Sequence, residues 1–294
     1  MRYLVTGATG FIGTHFVSSL STTRVDLSLL VRNSSEIGPD LRRLATIETY
    51  DGTLDSITSI ITEVRPDLVV HLASYFVAEH KRSDIDSIVE SNIRFGLNLL
   101  EAMKALDHPR IINIGTSWQH FNNASYDPVC LYAASKQAFE DILTFYVNAE
   151  NFRAITLKLF DTYGPSDHRR KLIPLLIKAL SPEHRLLLSP GEQQIDLVHI
   201  DDVVRALNTA CERIMQAGTG HESFALSSGT TVSLRQLVNI FAQATGTAPF
   251  VEWGARPYRQ REVMVPWSTA VRLPGWSPTV DLQNGLAGCV SQRV

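Results

Sequence analysis

Short apolar runs alternate with longer amphipathic stretches along the first half of the chain. The runs that predict buried strands are Arg2–Thr6, Val25–Val31, Asp67–Leu72, Arg110–Ile114 and Ala154–Leu159. The stretches whose apolar residues recur at helical spacing are Phe11–Leu20, Ile57–Val64, Ile85–Leu106 and Leu131–Ala149. Strands that alternate with helices form βαβ units, so the pattern predicts an α/β protein with a doubly wound parallel sheet.

The pattern changes after about Gly164, where prolines interrupt the alternation. Further helices are predicted at Leu172–Leu180, Val203–Met215 and Leu234–Thr245. The segment Phe250–Trp276 is rich in Pro, Arg and Trp. We therefore expect residues 1–162 to form the sheet domain, and residues 163–294 to form a smaller α/β domain that closes over it.

Charge and composition exclude several classes of protein. The 294 residues carry 27 Lys and Arg against 30 Asp and Glu, and the formal net charge of −3 argues against a nucleic-acid-binding protein. Three cysteines, Cys130, Cys211 and Cys289, form no CxxC pair, which favours a reducing compartment. We expect a cytoplasmic protein, because neither a signal peptide nor a membrane-spanning apolar run is evident. The nine histidines lack metal-ligand spacing, so no metal site is predicted.

A glycine-rich segment with the spacing GxxGxxG joins the first predicted strand to the first predicted helix. Its candidate contact residues are Gly7, Thr9, Gly10, Phe11, Ile12 and Gly13. Glycines permit a tight turn and let a pyrophosphate approach the backbone at the positive N-terminus of the helix. The segment therefore predicts a dinucleotide site, and the alternative is a plain strand-to-helix turn.

The end of the second predicted strand bears on the choice of dinucleotide. NAD sites usually place an acidic residue there for the ribose 2′-hydroxyl, whereas an arginine accommodates the 2′-phosphate of NADP. Arg32, followed by Asn33 and Ser34, therefore favours NADP(H) over NAD, unless Arg32 is only a solvated surface residue. Asp51, with Gly52 beside it, is a candidate to bind the adenine amino group or a simple turn residue.

Tyr132 and Lys136 are spaced i, i+4 on the helix predicted over Leu131–Ala149, so both side chains lie on one helix face. An ammonium beside a phenol stabilises the phenolate, and tyrosine can then exchange a proton with a carbonyl or hydroxyl. Ser117 follows the strand Arg110–Ile114, at the carboxyl edge of the sheet, where ligands bind in such folds. Its hydroxyl could bind the substrate oxygen that Tyr132 protonates. YxxxK alone is common by chance on helices, so the interpretation depends on Ser117 and on the glycine segment.

Several motifs in order resemble the extended short-chain dehydrogenase/reductase family, and more narrowly its nucleotide-sugar epimerases, dehydratases and 4-ketoreductases. They are TGATGFIG, HLAS at His71–Ser74, the trio of Ser117, Tyr132 and Lys136, LFDTYGP at Leu159–Pro165 and HIDDV at His199–Val203. The resemblance implies a Rossmann-type sheet domain, a substrate domain that binds a nucleotide sugar, and a segment near 197–216 that crosses back to the first domain. It also implies that the trio is catalytic and that the protein forms a homodimer.

The resemblance further implies contacts for particular residues. Cofactor contacts are implied for Leu72, Ala73, Ser74, Tyr132, Lys136 and Leu159, and Asn92 resembles an asparagine that braces the active-site helix. Substrate contacts are implied for Ser117, Trp118, Gln119, Tyr132, Asp161, Lys171, Leu172 and Ile173. Relatives often place an arginine for the diphosphate where this chain has Ile195. Gln193, Arg256 and Arg259 are the candidates to replace it, unless the two arginines belong to an exposed basic loop.

The departures from the family pattern narrow the reaction. Dehydratases of this family carry an Asp-Glu pair directly after the catalytic Ser or Thr, whereas this chain has Trp118 and Gln119, which cannot act as acid or base near pH 7. The leading hypothesis is an NADPH-dependent reductase of the 4-keto group of a dTDP- or CDP-linked 4-keto-6-deoxysugar. The alternatives are an NAD-dependent nucleotide-sugar 4-epimerase and, in another class, a non-catalytic dinucleotide sensor.

Overall fold

A computed structural model describes residues 1–216 and 220–291, and Ser291 by its backbone only. The helices are α1 (Phe11–Ser19), α2 (Pro39–Leu44), α3 (Leu54–Val64), α4 (Ile85–Val89), α5 (Phe95–Met103), α6 (Leu131–Ala149), α7 (Leu172–Lys178), α8 (Ile200–Met215), α9 (Leu234–Thr245) and α10 (Leu282–Ser291). The strands are β1 (Arg2–Thr6), β2 (Asp26–Arg32), β3 (Thr46–Tyr50), β4 (Leu68–His71), β5 (Arg110–Thr116), β6 (Arg153–Leu159), β7 (Asp161–Tyr163), β8 (Leu186–Leu187), β9 (Gln194–Ile195), β10 (Leu197–His199), β11 (Gly220–Leu226), β12 (Val232–Ser233) and β13 (Val251–Glu252).

Seven strands form one parallel sheet in the order β11-β6-β5-β4-β1-β2-β3. The chain therefore starts in the middle, runs outward through β2 and β3, and then returns to fill the other half from β4. The carboxyl ends of β1 and β4 meet at the centre, where Thr6 pairs with His71. Reversal of strand order at this point opens a crevice in which doubly wound sheets bind ligands. The predicted doubly wound α/β fold is confirmed.

Helices cover both faces of the sheet. Phe16 of α1 and Val203 and Leu207 of α8 are fully buried in the core on one face. Ile61 of α3 and Leu99 of α5 are fully buried in the core on the other face, which α6 completes. Each such side chain contributes about 1.5–3 kcal/mol on leaving water. The two cores hold the sheet between them, and the candidate site residues lie at its carboxyl edge.

Residues beyond the sheet form a third core between α7, α9 and α10, in which Leu176, Leu237, Phe241 and Leu286 are fully buried. Three two-stranded ladders, β7 with β10, β9 with β12 and β8 with β13, connect these helices to the loops around them. Helix α8 lies instead in the core of the sheet, against α1. In the described ranges no helix is long and apolar enough to cross a membrane.

Several elements differ from the sequence-based prediction. The helix predicted over Ile85–Leu106 consists of α4, a π-helical stretch (Glu90–Arg94) and α5, and it ends at Met103. Neither α2 nor β11 was predicted. In β11 only Phe224, Ala225 and Leu226 are buried, because it is the edge strand of the sheet. Its three buried residues are consecutive, so the strand shows neither an alternating pattern nor an apolar run of four residues or more.

Candidate active site

The glycine segment forms the tight turn between β1 and α1. Gly7 has a φ of +69°, and a Cβ placed on it would lie 2.5 Å from the backbone nitrogen of Ala73. A Cβ on Gly13 would lie 2.2 Å from the carbonyl oxygen of Gly7. Both positions therefore require glycine, the first for its conformation and both for the closeness of the backbone. Gly10 caps α1 without a side-chain hydrogen bond, which leaves the first backbone N–H groups available for an anion.

A cavity of about 570 Å³, which we call the glycine-loop cavity, opens beside this turn. The predicted cofactor residues that line it are Gly7, Thr9, Gly10, Arg32, Asn33, Ser34, Asp51, Gly52, Leu72, Ala73 and Ser74. The other predicted cofactor residues do not line this cavity: Phe11, Ile12, Gly13, Asn92, Tyr132, Lys136 and Leu159. Phe11 and Ile12 pack against the core of the sheet, and Leu159 is buried in it. A dinucleotide fits the uncapped helix end, the close glycine backbone and this cavity.

Two polar residues at the rim of the cavity have different environments. Arg32 is exposed at the end of β2, beside Asn33 and Ser34. The Asp51 carboxylate accepts hydrogen bonds from the backbone nitrogen of Thr53 at 2.9 Å and from its hydroxyl at 2.7 Å. These bonds hold the pKa of Asp51 below its usual value. Asp51 therefore stabilises the turn that leads into α3.

Asn92 joins the loop after β4 to α6 through both ends of its amide. Its Oδ1 accepts from the Ser74 hydroxyl at 3.0 Å and from the Tyr75 nitrogen at 2.7 Å. Its Nδ2 donates to the Tyr75 carbonyl at 3.0 Å and to the Ser135 hydroxyl at 2.9 Å. Asn92 is 1% exposed; its bond to Ser135 is buried, and the other three bonds are partly buried. The π-helical stretch carries Asn92 into this buried position.

Tyr132 and Lys136 lie in the first two turns of α6. Burial raises the pKa of Tyr132 to about 12, and a hydrogen bond with Ser74 opposes the shift. Burial lowers the pKa of Lys136 to about 8, and the carboxylate of Glu140 one turn further along opposes it. Without a ligand the phenol therefore holds its proton at neutral pH. Tyr132 also contacts the ring of Phe76, at 4.9 Å between centroids.

A second cavity of about 620 Å³, which we call the Ser117 cavity, opens beside Ser117, Trp118 and Phe76. The predicted substrate residues that line it are Ser117, Trp118, Asp161, Lys171, Leu172, Ile173, Gln193, Arg256 and Arg259. Tyr132 lines neither cavity itself, but it contacts one lining residue of each: Ser74 of the first and Phe76 of the second. The Tyr132 phenol therefore lies one side chain away from a dinucleotide-sized cavity and from a separate polar cavity.

The structure does not bring Gln119 into the Ser117 cavity. Its side chain is fully buried, its Oε1 accepts from the Thr116 nitrogen at 2.9 Å, and its Nε2 donates to Glu140 at 2.7 Å. Glu140 also pairs with the Lys158 ammonium at 3.2 Å, and Lys158 donates to the His120 Nε2 at 2.9 Å. The 3₁₀ turn at Ser117–Gln119 points the Gln119 amide inward, toward α6.

Arg259 lines the Ser117 cavity but is already engaged by a carboxylate. Its Nη2 and Nε bind Glu262 at 2.8 and 3.0 Å, and the pair holds the pKa of the Glu262 carboxyl below its usual value against the effect of burial. A diphosphate near Arg259 would meet this carboxylate as well. Arg259 can bind an anion here if the pair with Glu262 rearranges.

Many residues that line the Ser117 cavity were not selected from the sequence, among them Phe76, His120, Glu262 and Trp267. Trp267 stacks on the His120 ring at 3.8 Å between centroids, although the two are far apart in the chain. Only Phe76 had a local signal, because it follows the HLAS strand by two residues. The other contacts arise from the packing of distant segments.

A doubly wound sheet with a glycine turn at its central strand, next to a YxxxK helix, defines a dinucleotide-dependent enzyme. The model of the NAD dependent epimerase/dehydratase family matches residues 3–224. The chain belongs to this family, and the predictions of the family and of an oxidoreductase-type enzyme are confirmed.

Individual relatives agree with this assignment. The CDP-abequose synthase of Yersinia pseudotuberculosis is 28% identical over 271 residues, which span 90% of this chain and 92% of that protein. The UDP-glucose 4-epimerase of Thermotoga maritima, solved with UDP-glucose, superposes with a TM-score of 0.86 at 23% identity, over 99% of this chain and 98% of that one. The UDP-glucose 4-epimerase of Thermus thermophilus, solved with NAD, superposes with a TM-score of 0.83 at 23% identity, over the same shares. The chain is thus similar throughout its length to enzymes named for nucleotide sugars.

Proposed function

We propose that the protein reduces the 4-keto group of a dTDP- or CDP-linked 4-keto-6-deoxysugar with NADPH. The balanced reaction is ketone plus NADPH plus one proton, giving the secondary alcohol and NADP⁺. When bound, the cofactor supplies the hydride that reaches C4 of the sugar. The glycine-loop cavity would hold it, with the pyrophosphate at the N-terminus of α1 and the nicotinamide ribose near Tyr132 and Lys136.

The observation that carries this proposal is Arg32 at the rim of the glycine-loop cavity, beside Asn33 and Ser34. A guanidinium there suits the 2′-phosphate of NADP, and NADPH is a cofactor that a reductase consumes at each turnover. An epimerase instead stores a hydride on tightly held NAD and returns it. Position 118, directly after Ser117, carries tryptophan, which cannot serve as the acid or base of an elimination.

Tyr132 is the proposed proton donor. Its pKa of about 12 keeps the phenol protonated at neutral pH, so the proton is available as negative charge develops on the C4 oxygen. Ser117 lines the cavity on the substrate side and would donate a hydrogen bond to the same oxygen. Lys136 lies one turn along the same helix, where its ammonium would stabilise the phenolate that remains after the transfer.

The substrate would occupy the Ser117 cavity. Asp161 and Lys171 lie there as a pair, 3.4 Å apart, and the cavity is also lined by Arg256 and by Arg259, which is paired with Glu262. Arginine and lysine side chains suit the diphosphate that links the nucleoside to the sugar. Leu172 and Ile173, at the start of α7, would lie against the nucleotide base.

The direct test is incubation with NADPH and dTDP- or CDP-4-keto-6-deoxyglucose, followed by identification of the product by NMR. We expect consumption of NADPH and a 6-deoxyhexose with an alcohol at C4. Purified protein that carries NAD and interconverts 4-hydroxyl configurations without added NADPH would support the epimerase instead. Binding of a dinucleotide with no turnover across a panel of keto-sugar nucleotides would support the sensor.

Two substitutions test the assigned roles. Tyr132→Phe should lower kcat by about two to four orders of magnitude, the usual contribution of a positioned acid, while the Kd for NADPH is retained. Near-normal turnover in this variant would refute the role of Tyr132. Arg32→Ala should raise the KM for NADPH by about tenfold or more and leave that for NADH nearly unchanged, because one charged hydrogen-bonding group is lost. Equal effects on both cofactors would remove the argument for NADPH.

We also propose a homodimer formed through α5 and α6. Leu97 of α5 and Phe145 of α6 are 38% and 59% exposed, and apolar side chains on neighbouring helices form a surface that a second copy could cover. Light scattering after gel filtration should give twice the mass of 32.7 kDa, and Phe145→Glu should shift the protein to the monomer. A monomer in the unmodified protein would refute the proposal.

A further inference from the structure

The turn that carries Ser117 is tied to the loop that follows it. The backbone nitrogen of His120 donates to the Ser117 carbonyl at 3.1 Å, and the backbone nitrogen of Asp127 donates to the Gln119 carbonyl at 2.9 Å. We call residues 117–127 the Ser117 loop. Because these bonds join its two ends, the place of Ser117 depends on what holds His120 and Asp127.

Trp267 covers one face of the His120 ring. The two rings stack at 3.8 Å between centroids, with 17° between their planes. The His120 Nε2 accepts from the Lys158 ammonium at 2.9 Å, so the ring proton lies on Nδ1, which donates to the Ala124 carbonyl at 3.1 Å. His120 is 7% exposed. Both nitrogens and one face of the ring are therefore occupied, and the stacked face is the contact that comes from far along the chain.

Arg261 holds the other end of the Ser117 loop. Its guanidinium pairs with the Asp127 carboxylate and lies 4.4 Å from the centre of the Phe121 ring. In the middle of the loop, the Asn123 Oδ1 accepts from the Ser268 backbone nitrogen at 2.7 Å and from the Ser268 hydroxyl at 3.2 Å. The loop is thus held at both ends and at its centre by one distant segment.

This segment, residues 261–268, is called the C-terminal clamp below. Trp267 of the clamp lines the Ser117 cavity, whereas Arg261 is not among the described residues that line either cavity. An effect of Arg261 on turnover would therefore not come from direct contact with a ligand in these cavities. The pair of Arg261 with Asp127 instead connects the clamp to the loop that carries Ser117.

We infer that Arg261 and Trp267 are positioning residues that hold Ser117 at its place in the cavity. The inference rests on the proposed function for the role of the Ser117 hydroxyl, which is to bind the reacting oxygen. A hydrogen-bond donor stabilises a developing negative charge when it is fixed in position beforehand. A displacement of about 1 Å can cost about 100-fold in rate. Loss of either contact should therefore lower kcat and leave the binding of the dinucleotide, in the other cavity, unchanged.

A double-mutant cycle with Ser117 separates positioning from direct contact and from a general loss of structure. Arg261→Met and Trp267→Leu should each lower kcat by about tenfold, and Arg261→Lys, which can keep an ion pair with Asp127, should retain most of the activity. In the Ser117→Ala background the same two substitutions should lower kcat by less than about twofold, because the hydroxyl that they position is absent. Losses of equal size in both backgrounds would overturn the inference.

Hydrogen exchange follows the Ser117 loop without turnover. Mass spectrometry of peptides that cover residues 117–127 should show exchange about tenfold faster or more in Arg261→Met and Trp267→Leu, because the loop opens more often. As matched controls, Arg185→Met changes an exposed arginine of another ion pair, and Trp253→Leu changes a half-buried tryptophan outside both cavities. Both controls should keep the exchange of the loop and kcat. An unchanged Kd for NADPH shows that the clamp variants are folded.

The two readouts also separate this inference from the proposed function. If the loop exchanges faster in both clamp variants but no ketone is reduced, the clamp positions Ser117 and the proposed reductase fails. If ketones are reduced but the kcat losses are the same with and without Ser117, the reductase stands and the inference fails. An unchanged exchange rate of the loop in both clamp variants overturns the inference whether or not ketones are reduced.

Discussion

Removal of the buried Lys158 ammonium should destabilise the protein far more than removal of the whole ion pair. The Lys158 and Glu140 side chains are 8% and 10% exposed, with 3.2 Å between the charged atoms. At that distance and an effective dielectric constant of about 20, their attraction is about 5 kcal/mol. Lys158→Met leaves the Glu140 carboxylate buried without this partner, so we expect a loss of about 3–5 kcal/mol in the free energy of unfolding.

The double variant Lys158→Met with Glu140→Gln removes both charges at once. The glutamine can still accept a hydrogen bond from the Gln119 amide, which donates to Glu140 at 2.7 Å in the unmodified protein. Replacing a buried pair by neutral groups is often close to neutral in stability, so we expect the double variant to lie within about 2 kcal/mol of the unmodified protein. It should therefore be more stable than the single Lys158→Met variant.

Urea denaturation of the four proteins in this cycle measures the coupling between the two side chains. Single-variant losses that simply add in the double variant would refute the argument that the charges compensate each other. A cost below about 1 kcal/mol for Lys158→Met would show that water reaches Glu140. Because Gln119 connects Glu140 to the turn that carries Ser117, we expect Lys158→Met to lower kcat as well.

Two other substitutions, at Asn92 and at His71, should change the free energy of unfolding. Asn92→Ala removes four hydrogen bonds to the loop after β4 and to α6, one of them buried and three partly buried. Urea denaturation should therefore show a loss of about 2–4 kcal/mol in the free energy of unfolding, and steady-state kinetics should show that kcat falls more than the affinity for NADPH. Burial lowers the pKa of His71 to about 3 from its usual 6.5, so between these values the unfolded chain binds a proton that the folded protein does not. The free energy of unfolding should therefore fall as pH drops from 6.5 toward 3, and His71 should contribute up to about 1.4 kcal/mol per pH unit to this slope. His71→Asn should remove that contribution. If urea denaturation gives the unmodified protein and the variant the same slope of free energy against pH, the prediction is contradicted.

The sequence predicted best those features that depend on contiguous residues. The strand, glycine turn and helix over Arg2–Ser19 follow one another directly, and local patterning alone decides their structure. Helix α6 was predicted with its observed bounds, because its apolar residues recur at helical spacing for 19 residues. The residues around the glycine-loop cavity were accessible to prediction for the same reason, since most of them directly follow β1, β2, β3 or β4.

Prediction failed where long-range packing decides which way a side chain points. Gln119 was expected to bind substrate, but the turn after Ser117 directs its amide into the buried cluster with Glu140. Trp267 reaches His120 only because the C-terminal segment folds back over the loop after β5. Such contacts depend on the complete tertiary structure and leave no signal in local spacing.

The loop after β4 links the two cavities through a single short segment. Ser74 lines the glycine-loop cavity and Phe76 lines the Ser117 cavity, two residues apart, and both contact Tyr132. Asn92 holds the Tyr75 backbone between them and also binds Ser135, one turn along α6 from Tyr132. The position of the phenol relative to both cavities is therefore set by one buried amide. In the proposed reduction, the hydride donor and the ketone would have to be aligned with Tyr132 to within about 0.5 Å, and a rigid support of this kind would provide that alignment.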